Sequence, residues 1–268
     1  MHISNSAIPI GSIVVVVGAN GYMAIETCEK LLQAGFSIRG TVRDVEKNQQ
    51  WMHNLFDTKW PHMFELVHVP DFEVEGAFDE AFKGVKGVIY VSTPIILNSD
   101  PANVVEPVIK GTINSLEAAA RAGVKRYVLS SSSKAVESTN YNHPHHITSI
   151  PDGQFGRALD PENTTSTFRM LKGAAEGEWD KVFGQVAYFT DVQDAARLLV
   201  AAVALPSLIR VISPKGEKLV KGEDQAVEGK DLSSADGVIK RADGILREIG
   251  QQGFASEEDI LRDFLECL

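Results

Sequence analysis

Residues 13–17, Ile-Val-Val-Val-Val, form an unbroken β-branched run that stops at Gly18. Such a run predicts a strand buried on both faces. Over 22–35 the spacing becomes helical, with Ala24, Cys28, Leu31 and Leu32 on one face and Gly35 as the stop. Short apolar runs at 36–42, 64–69, 87–92 and 124–129 predict further strands. Between the last two, Val105, Val108, Ile109, Thr112, Leu116 and Ala119 recur at helical spacing. Alternation of this kind predicts an α/β fold, a Rossmann-type doubly wound parallel sheet.

The second half is less regular. Residues 137–167 are rich in Ser, Thr, Asn, His and Pro, and only Ile147 to Ile150 suggests a short strand. Residues 190–204 predict a helix with Val192, Ala195, Ala196, Leu199 and Val203 on one face and Asp191 near its start. Beyond a charged stretch at 215–230, two more helical segments are expected at 234–250 and 256–267. The division expected is a dinucleotide-binding domain over 1–150, then the rest of the sheet with a reduced C-terminal substrate lobe over 151–268.

Composition narrows the function classes. The chain has 268 residues, 44% hydrophobic and 23% charged, in the ordinary soluble range. A net charge of −10 argues against a nucleic-acid partner, which needs clustered Lys and Arg. The run at 13–17 is far too short to cross a membrane, and no membrane association is expected. The two cysteines, Cys28 and Cys267, give no disulfide framework and suit a reducing, cytoplasmic setting. The histidines of Asn142-His143-Pro144-His145-His146 read as a solvated loop, and no metal is expected. Neither a Gly-x-Ser-x-Gly elbow nor a Walker-type phosphate loop is present.

Gly18-Ala19-Asn20-Gly21-Tyr22-Met23-Ala24 follows the first strand and opens the first helix. In that context glycines permit a tight turn and close backbone approach to a pyrophosphate at a helix N-terminus. At the end of the second strand two readings compete. Asp44 lies 20 residues beyond Ala24, the spacing of a ribose-binding carboxylate that selects NAD. Arg43 and Lys47 could instead hold the 2′-phosphate of NADP by charge and geometry. NADP (NADPH) is the favoured cofactor and NAD the less favoured one.

The chain resembles the extended short-chain dehydrogenase/reductase family, in its branch of dihydroflavonol reductases and fungal aldehyde or ketone reductases. The resemblance runs through Val17 to Ala24, Arg39-Gly40-Thr41-Val42-Arg43, Val88 to Pro94, Lys110-Gly111-Thr112 and Lys125 to Ser132. It continues in Gly156-Arg157, Pro161-Glu162-Asn163 and Phe189 to Ala196. It implies that Gly18, Asn20, Gly21, Tyr22, Met23 and Ala24 line the pyrophosphate and that Arg43 and Lys47 meet the 2′-phosphate. It also places Asp71 beside the adenine, Ser92 and Thr93 along the cofactor, and Ser132 on the substrate carbonyl, with Ser131 and Ser133 as neighbouring registers.

One departure stands out. The family sets a Tyr-x-x-x-Lys helix roughly 30 residues past that serine, where the tyrosine acts as general acid. None of Tyr22, Tyr90, Tyr127, Tyr141 or Tyr188 has a lysine four residues on; Tyr141 has His145 there. Only about 16 residues separate the fifth strand from 147–150, with Pro144 among them, so a loop is expected where a crossover helix belongs. Part of the sheet and of the 105–119 helix would then be left uncovered, and oligomerisation is in doubt. A second shortening is expected between Leu208 and Asp231. Two function classes remain. One is an NADP-dependent carbonyl reductase acting on a small aldehyde or ketone, impaired in this chain. The other is a non-catalytic dinucleotide-binding protein, a redox sensor or scaffold, or a truncated gene product.

Overall fold

The structure is a computed structural model that describes residues 1–93, 100–131, 152–164, 167–178, 188–206, 208, 210–212, 218–220 and 234–268. The expected strand at Ile147–Ile150, the loop before it and most of the charged stretch at 215–230 lie outside the described residues. The chain packs as two compact units. The first is Ile8–Ser130 with Leu159–Thr165; the second is Met1–Ala7, Ser131–Ala158 and Ser166–Leu268.

In the first unit the β-branched run becomes β1 (Ile13–Val17), and Val14 to Val17 are buried on both faces as the pattern requires. It pairs in parallel with β2 (Ser37–Val42) on one side and β4 (Gly87–Tyr90) on the other. With β3 (Phe64–His68) and β5 (Arg126–Leu129) the order is β3-β2-β1-β4-β5, a doubly wound sheet. The register levels Val17, Thr41 and Tyr90 across three strands. Their next residues therefore emerge at one edge, at the point where strand order reverses, and ligands of such sheets bind there.

α1 (Tyr22–Gln33) ends beside Gly35, whose φ of +87° supports its expected role as the stop. The amphipathic reading of α1 is incomplete, because its polar side is buried as well. Glu26, Thr27, Glu29 and Lys30 are all under 5% exposed, and the Lys30 ammonium lies 3.3 Å from Glu29 and 3.8 Å from Glu26. Charges withdrawn from water persist when they are paired, and these are. α2 (Val45–Phe56) inserts Met52 and Phe56, the latter packing on Phe64 at 4.8 Å between ring centroids. The turns after β3 carry Phe78 and Phe82, which stack at 5.2 Å and fill the space under β4 with Val69, Val85 and Val88.

α3 (Pro101–Arg121) starts from Asp100, whose carboxylate accepts from Ala102 N at 3.0 Å, with proline at the first helical position. Its packing face differs from the apolar stripe in the sequence. The buried positions are Gly111, Ser115, Ala118 and Ala119, whereas Val105, Ile109, Ile113 and Leu116 are 44–51% exposed. Gly111 explains part of this. A Cβ there would fall 2.2 Å from the Phe72 ring, so the missing side chain lets the loop after β3 lie against the helix. Asn114 donates to Phe72 O at 3.0 Å and holds it there. Ser115 bonds to the Tyr127 hydroxyl and so fastens α3 to β5.

The second unit is built from β6 (Asp152–Phe155), α4 (Thr167–Ala175), β7 (Tyr188–Asp191) and α5 (Val192–Ala204). An antiparallel ribbon of β8 (Arg210–Ile212) and β9 (Lys218–Val220), then α6 (Ser234–Glu248) and α7 (Glu257–Leu265), complete it. β6 and β7 pair in parallel, so these strands form a separate small sheet. Buried Asp194 joins the helices: its carboxylate accepts from Arg197 at 2.6 Å and from Ala255 N at 2.7 Å. Leu246 and Ile249 pack with Ala201 and Leu205, and the chain start is tied in through His2 N to Ile249 O at 3.2 Å.

Burial pushes the phenols of Tyr90 and Tyr127 up to about 12, outweighing the Ser115 hydroxyl that favours ionised Tyr127. In the unfolded chain a tyrosine ionises near pH 10. The folded state therefore loses ground to the unfolded one as pH rises from about 10 to about 12, by about 1.4 kcal/mol per pH unit for each phenol. Tyr127→Phe should cost about 1 kcal/mol at pH 7 through the lost Ser115 bond. It should also flatten the alkaline loss of stability in urea unfolding at pH 8–11. An unchanged alkaline slope would show that Tyr127 titrates as if solvated.

Candidate functional site

Gly18 leaves β1 at φ +76°, a left-handed conformation that suits glycine. Its amide donates to the Thr41 hydroxyl at 3.2 Å, and Ala19 N donates to Thr41 O at 3.0 Å. The turn closes with Gly21 N on Gly18 O at 3.0 Å, and Gly21 is the N-cap of α1 without a side chain of its own. Gly21 thus offers α1 no side-chain cap, and a helix N-terminus reached through a glycine turn suits an anion. Three absent side chains make the cradle. A Cβ on Gly18 would sit 2.9 Å from Ser92 Cβ, and one on Gly40 would sit 2.7 Å from Ala19 Cβ. A Cβ on Gly21 would press on Gly18 O at 3.3 Å. This geometry fits a dinucleotide pyrophosphate, which needs bare backbone at van der Waals approach.

The sequence-predicted residues fall along this edge of the first unit. Tyr22, Met23 and Ala24 form the first turn of α1; Tyr22 and Ala24 are buried, and Met23 O accepts from the Thr27 hydroxyl at 2.8 Å. Arg43 and Asp44 follow β2. The Asp44 carboxylate accepts from Lys47 N at 2.9 Å and so caps α2. The Arg43 and Lys47 side chains are exposed and form no ion pair among the described residues. Asp71 braces its own turn, Oδ1 accepting from Glu73 N at 2.8 Å. Ser92, half-buried, faces Gly18, and exposed Thr93 follows it. Ser132, Ser133, Tyr141 and His143 to His146 lie outside the described residues; Ser130 extends β5 by donating to Tyr90 O at 2.9 Å.

Three residues at the site carry roles that the motif alone did not assign. Thr41 binds the glycine turn from β2, and Gly40 lets that turn lie flat on the strand. Asn48, buried in α2, accepts from the Asn20 amide at 3.3 Å and donates to Asp44 O at 2.6 Å. The first two stand in the quoted Arg39 to Arg43 stretch, where small and hydroxyl residues break an apolar strand. Asn48 carried its signal too, as a polar residue at a buried helical position between Val45 and Met52.

Among the remaining titratable groups, neither Tyr90 nor Tyr127 has the lowered pKa of a general acid near neutrality, since both are held neutral by burial. No helix among the described residues is long and apolar enough to cross a membrane. Nor do the described residues contain a group of His, Cys, Asp and Glu that could hold a metal ion.

A parallel sheet that reverses order at β1, with a glycine turn pressed between β2 and β4, defines a Rossmann-like α/β protein. The sequence pattern of the NmrA-like family matches residues 11–148, and the chain belongs to that family, within the extended short-chain dehydrogenase/reductase group. It is similar to aldehyde reductase 2 of Sporidiobolus salmonicolor, 41% identical over 131 residues, which cover 48% of this chain and 38% of that enzyme. It is 30% identical over 257 residues to the ketoreductase adrE of Penicillium rubens, covering 76% of this chain and 75% of the relative. Dihydroflavonol 4-reductase of Solanum lycopersicum is 35% identical over 125 residues, 46% of this chain and 33% of that one. Against two of these relatives, then, the matched stretch spans less than two fifths of their length. Among solved structures, yeast methylglyoxal/isovaleraldehyde reductase in complex with NADPH superposes with a TM-score of 0.63. That match covers 95% of this chain and 97% of the reductase at 16% identity, a likeness of fold.

Gly18→Ala tests the cradle. It should destabilise the first unit by about 1–2 kcal/mol from the left-handed backbone alone, with a further loss from the Ser92 contact. Adding Ser92→Gly should return the contact part and leave the backbone part, measured by urea unfolding. Full recovery in the double variant would mean that the backbone at Gly18 is unstrained.

Proposed function

We propose that this chain is an NADP(H)-dependent oxidoreductase by construction, with the first unit holding the cofactor and the second contributing a small substrate lobe. The observation that carries the cofactor choice is the pair of exposed cations, Arg43 and Lys47, that follows β2. Of the Asp44 carboxylate, Oδ1 accepts from Lys47 N at 2.9 Å and caps α2. Beside it, Arg43 and Lys47 offer two exposed cations with no ion-pair partner among the described residues, suited to a 2′-phosphate. The pyrophosphate is assigned to the turn at Gly18, Asn20 and Gly21 and to the start of α1 at Tyr22, Met23 and Ala24. The adenine is assigned to the side of Asp71, and the nicotinamide ribose to the side of Ser92 and Thr93. Bound NADPH would supply a hydride to the carbonyl carbon of a small aldehyde or ketone. The aldehyde and ketone reductases among the relatives support that substrate class. Ser132 is assigned to hydrogen-bond the carbonyl oxygen. The proposed setting is cytoplasmic, and a partner subunit is no part of the reading.

A second reading is favoured by the tyrosines. No tyrosine is followed by lysine at the fourth position, and burial raises the pKa of Tyr90 and Tyr127. A chain that holds a dinucleotide and lacks an acid to protonate the alkoxide would act as a redox sensor or scaffold, with little or no turnover.

Calorimetric titration with NADPH and NADH separates these from a chain without a site. NADPH should bind tightly and NADH weakly, and Arg43→Ala or Lys47→Ala should each weaken NADPH about tenfold while sparing NADH, the scale of one charge-assisted hydrogen bond. No heat from folded protein with either dinucleotide overturns the cofactor assignment. With a panel of aldehydes, NADPH oxidation should fall sharply in Ser132→Ala. Unchanged turnover removes that serine from the mechanism, and no turnover in the unaltered chain that binds NADPH selects the sensor reading.

A further inference from the structure

Asn48 is a polar side chain, 5% exposed, at a helical position between Val45 and Met52 where an apolar residue would serve packing. Burying an amide is unfavourable unless its polar atoms are matched. Both sides of this amide are in use. Its Nδ2 donates to the main-chain oxygen of Asp44 at 2.6 Å, and its Oδ1 accepts from Asn20 Nδ2 at 3.3 Å. Asn20 stands on the glycine turn, and Asp44 stands between Arg43 and Lys47. The Asp44 carboxylate is fixed as well, by Lys47 N at 2.9 Å. Asn48 thus ties the segment assigned to the pyrophosphate to the segment assigned to the 2′-phosphate.

We infer that Asn48 is a positioning residue for recognition of the adenosine 2′-phosphate, setting the preference for NADPH over NADH through Asp44 and Asn20. This rests on the cofactor reading above. One of its hydrogen bonds holds the Asp44 carbonyl, one residue beyond the point where Arg43 leaves β2, and the other holds Asn20 on the glycine turn. Together they fix the distance from that segment to the glycine turn. NADPH has two anionic groups to satisfy at once, its pyrophosphate and its 2′-phosphate, and it gains from a preset separation between the two segments. NADH carries only the pyrophosphate, so it is indifferent to where Arg43 points. Loss of the link therefore falls on one cofactor, whereas loss of general packing would fall on both.

The test is calorimetric titration of the full chain and of Asn48→Leu with NADPH and NADH, and with adenosine 2′,5′-bisphosphate and AMP as smaller probes. Leucine keeps the helix and the buried volume. The NADPH-to-NADH affinity ratio should fall about tenfold, the effect of one or two mispositioned charge-assisted contacts, and the bisphosphate-to-AMP ratio should fall with it. An unchanged ratio in folded Asn48→Leu, whether both affinities fall together or neither does, overturns the inference and leaves Asn48 a packing residue. If Asn48→Leu does not fold, Asn20→Ala decides. That exposed change breaks one end of the link, and a fall of about threefold or more in the NADPH-to-NADH ratio supports the inference while an unchanged ratio overturns it. An unaltered chain that binds neither dinucleotide overturns the cofactor reading and takes this inference with it. A chain that binds NADPH selectively, with selectivity indifferent to Asn48 and Asn20, overturns this inference alone.

Discussion

The site depends on one close approach, that of the backbone at Gly18 to the strands on either side of β1. Parallel pairing of β1 with both β2 and β4 brings Thr41 and Ser92 against the turn from opposite sides. The Thr41 hydroxyl takes the Gly18 amide, and Ser92 occupies the volume that a side chain on Gly18 would need. The turn is thus held from two strands of the sheet. On the proposed cofactor reading such a turn needs no charged side chain at its centre, and Arg43 and Lys47 add selectivity from the end of the next strand.

What surrounds that cradle is less conventional. α1 is buried on all sides, and its Lys30 with Glu26 and Glu29 is a charged group inside the protein. Such a cluster costs more to break than to keep, since removing one partner strands the other charges away from water. α3 shows the opposite imbalance: its small residues face inward and its large aliphatic ones outward. The inner face is narrow because Gly111 admits the Phe72 ring and Ser115 reaches Tyr127. Helices on the same sheet thus solve packing in different ways, one by pairing buried charge and one by letting a neighbouring loop and strand approach closely.

The tyrosines separate ancestry from chemistry. A general acid for carbonyl reduction works best with a pKa drawn down toward neutrality by a nearby cation. Tyr90 and Tyr127 are set among apolar side chains, and Tyr127 is engaged with Ser115. Burial holds both phenols neutral far into the alkaline range. They are parts of the core. The cradle and a general acid are therefore independent features: glycines at the strand ends make the first, and neither Tyr90 nor Tyr127 supplies the second.

The sequence by itself determined the elements with strong local signals. β1 was legible as a β-branched run, α1 from its spacing and stop glycine, and α5 from Asp191 and the apolar face that follows. The glycine turn was legible because glycine at fixed offsets between a strand and a helix answers a backbone requirement. α2 was missed although its signal was present: Asp44 as cap, then Val45, Met52 and Phe56 at helical spacing. Charged residues at 43–47 drew the reading toward ligand chemistry and away from the helix they begin. On α3 the exposed Val105, Ile109 and Leu116 agree with a helix left partly uncovered, whereas hydrophobic spacing does not register the Phe72 ring filling the gap at Gly111. Only the tertiary structure decided that Thr41 and Ser92 grip the turn and that Asn48 meets Asn20. The physical reason is range: caps, turns and periods act over a few residues, whereas these contacts join residues 23, 28 and more positions apart.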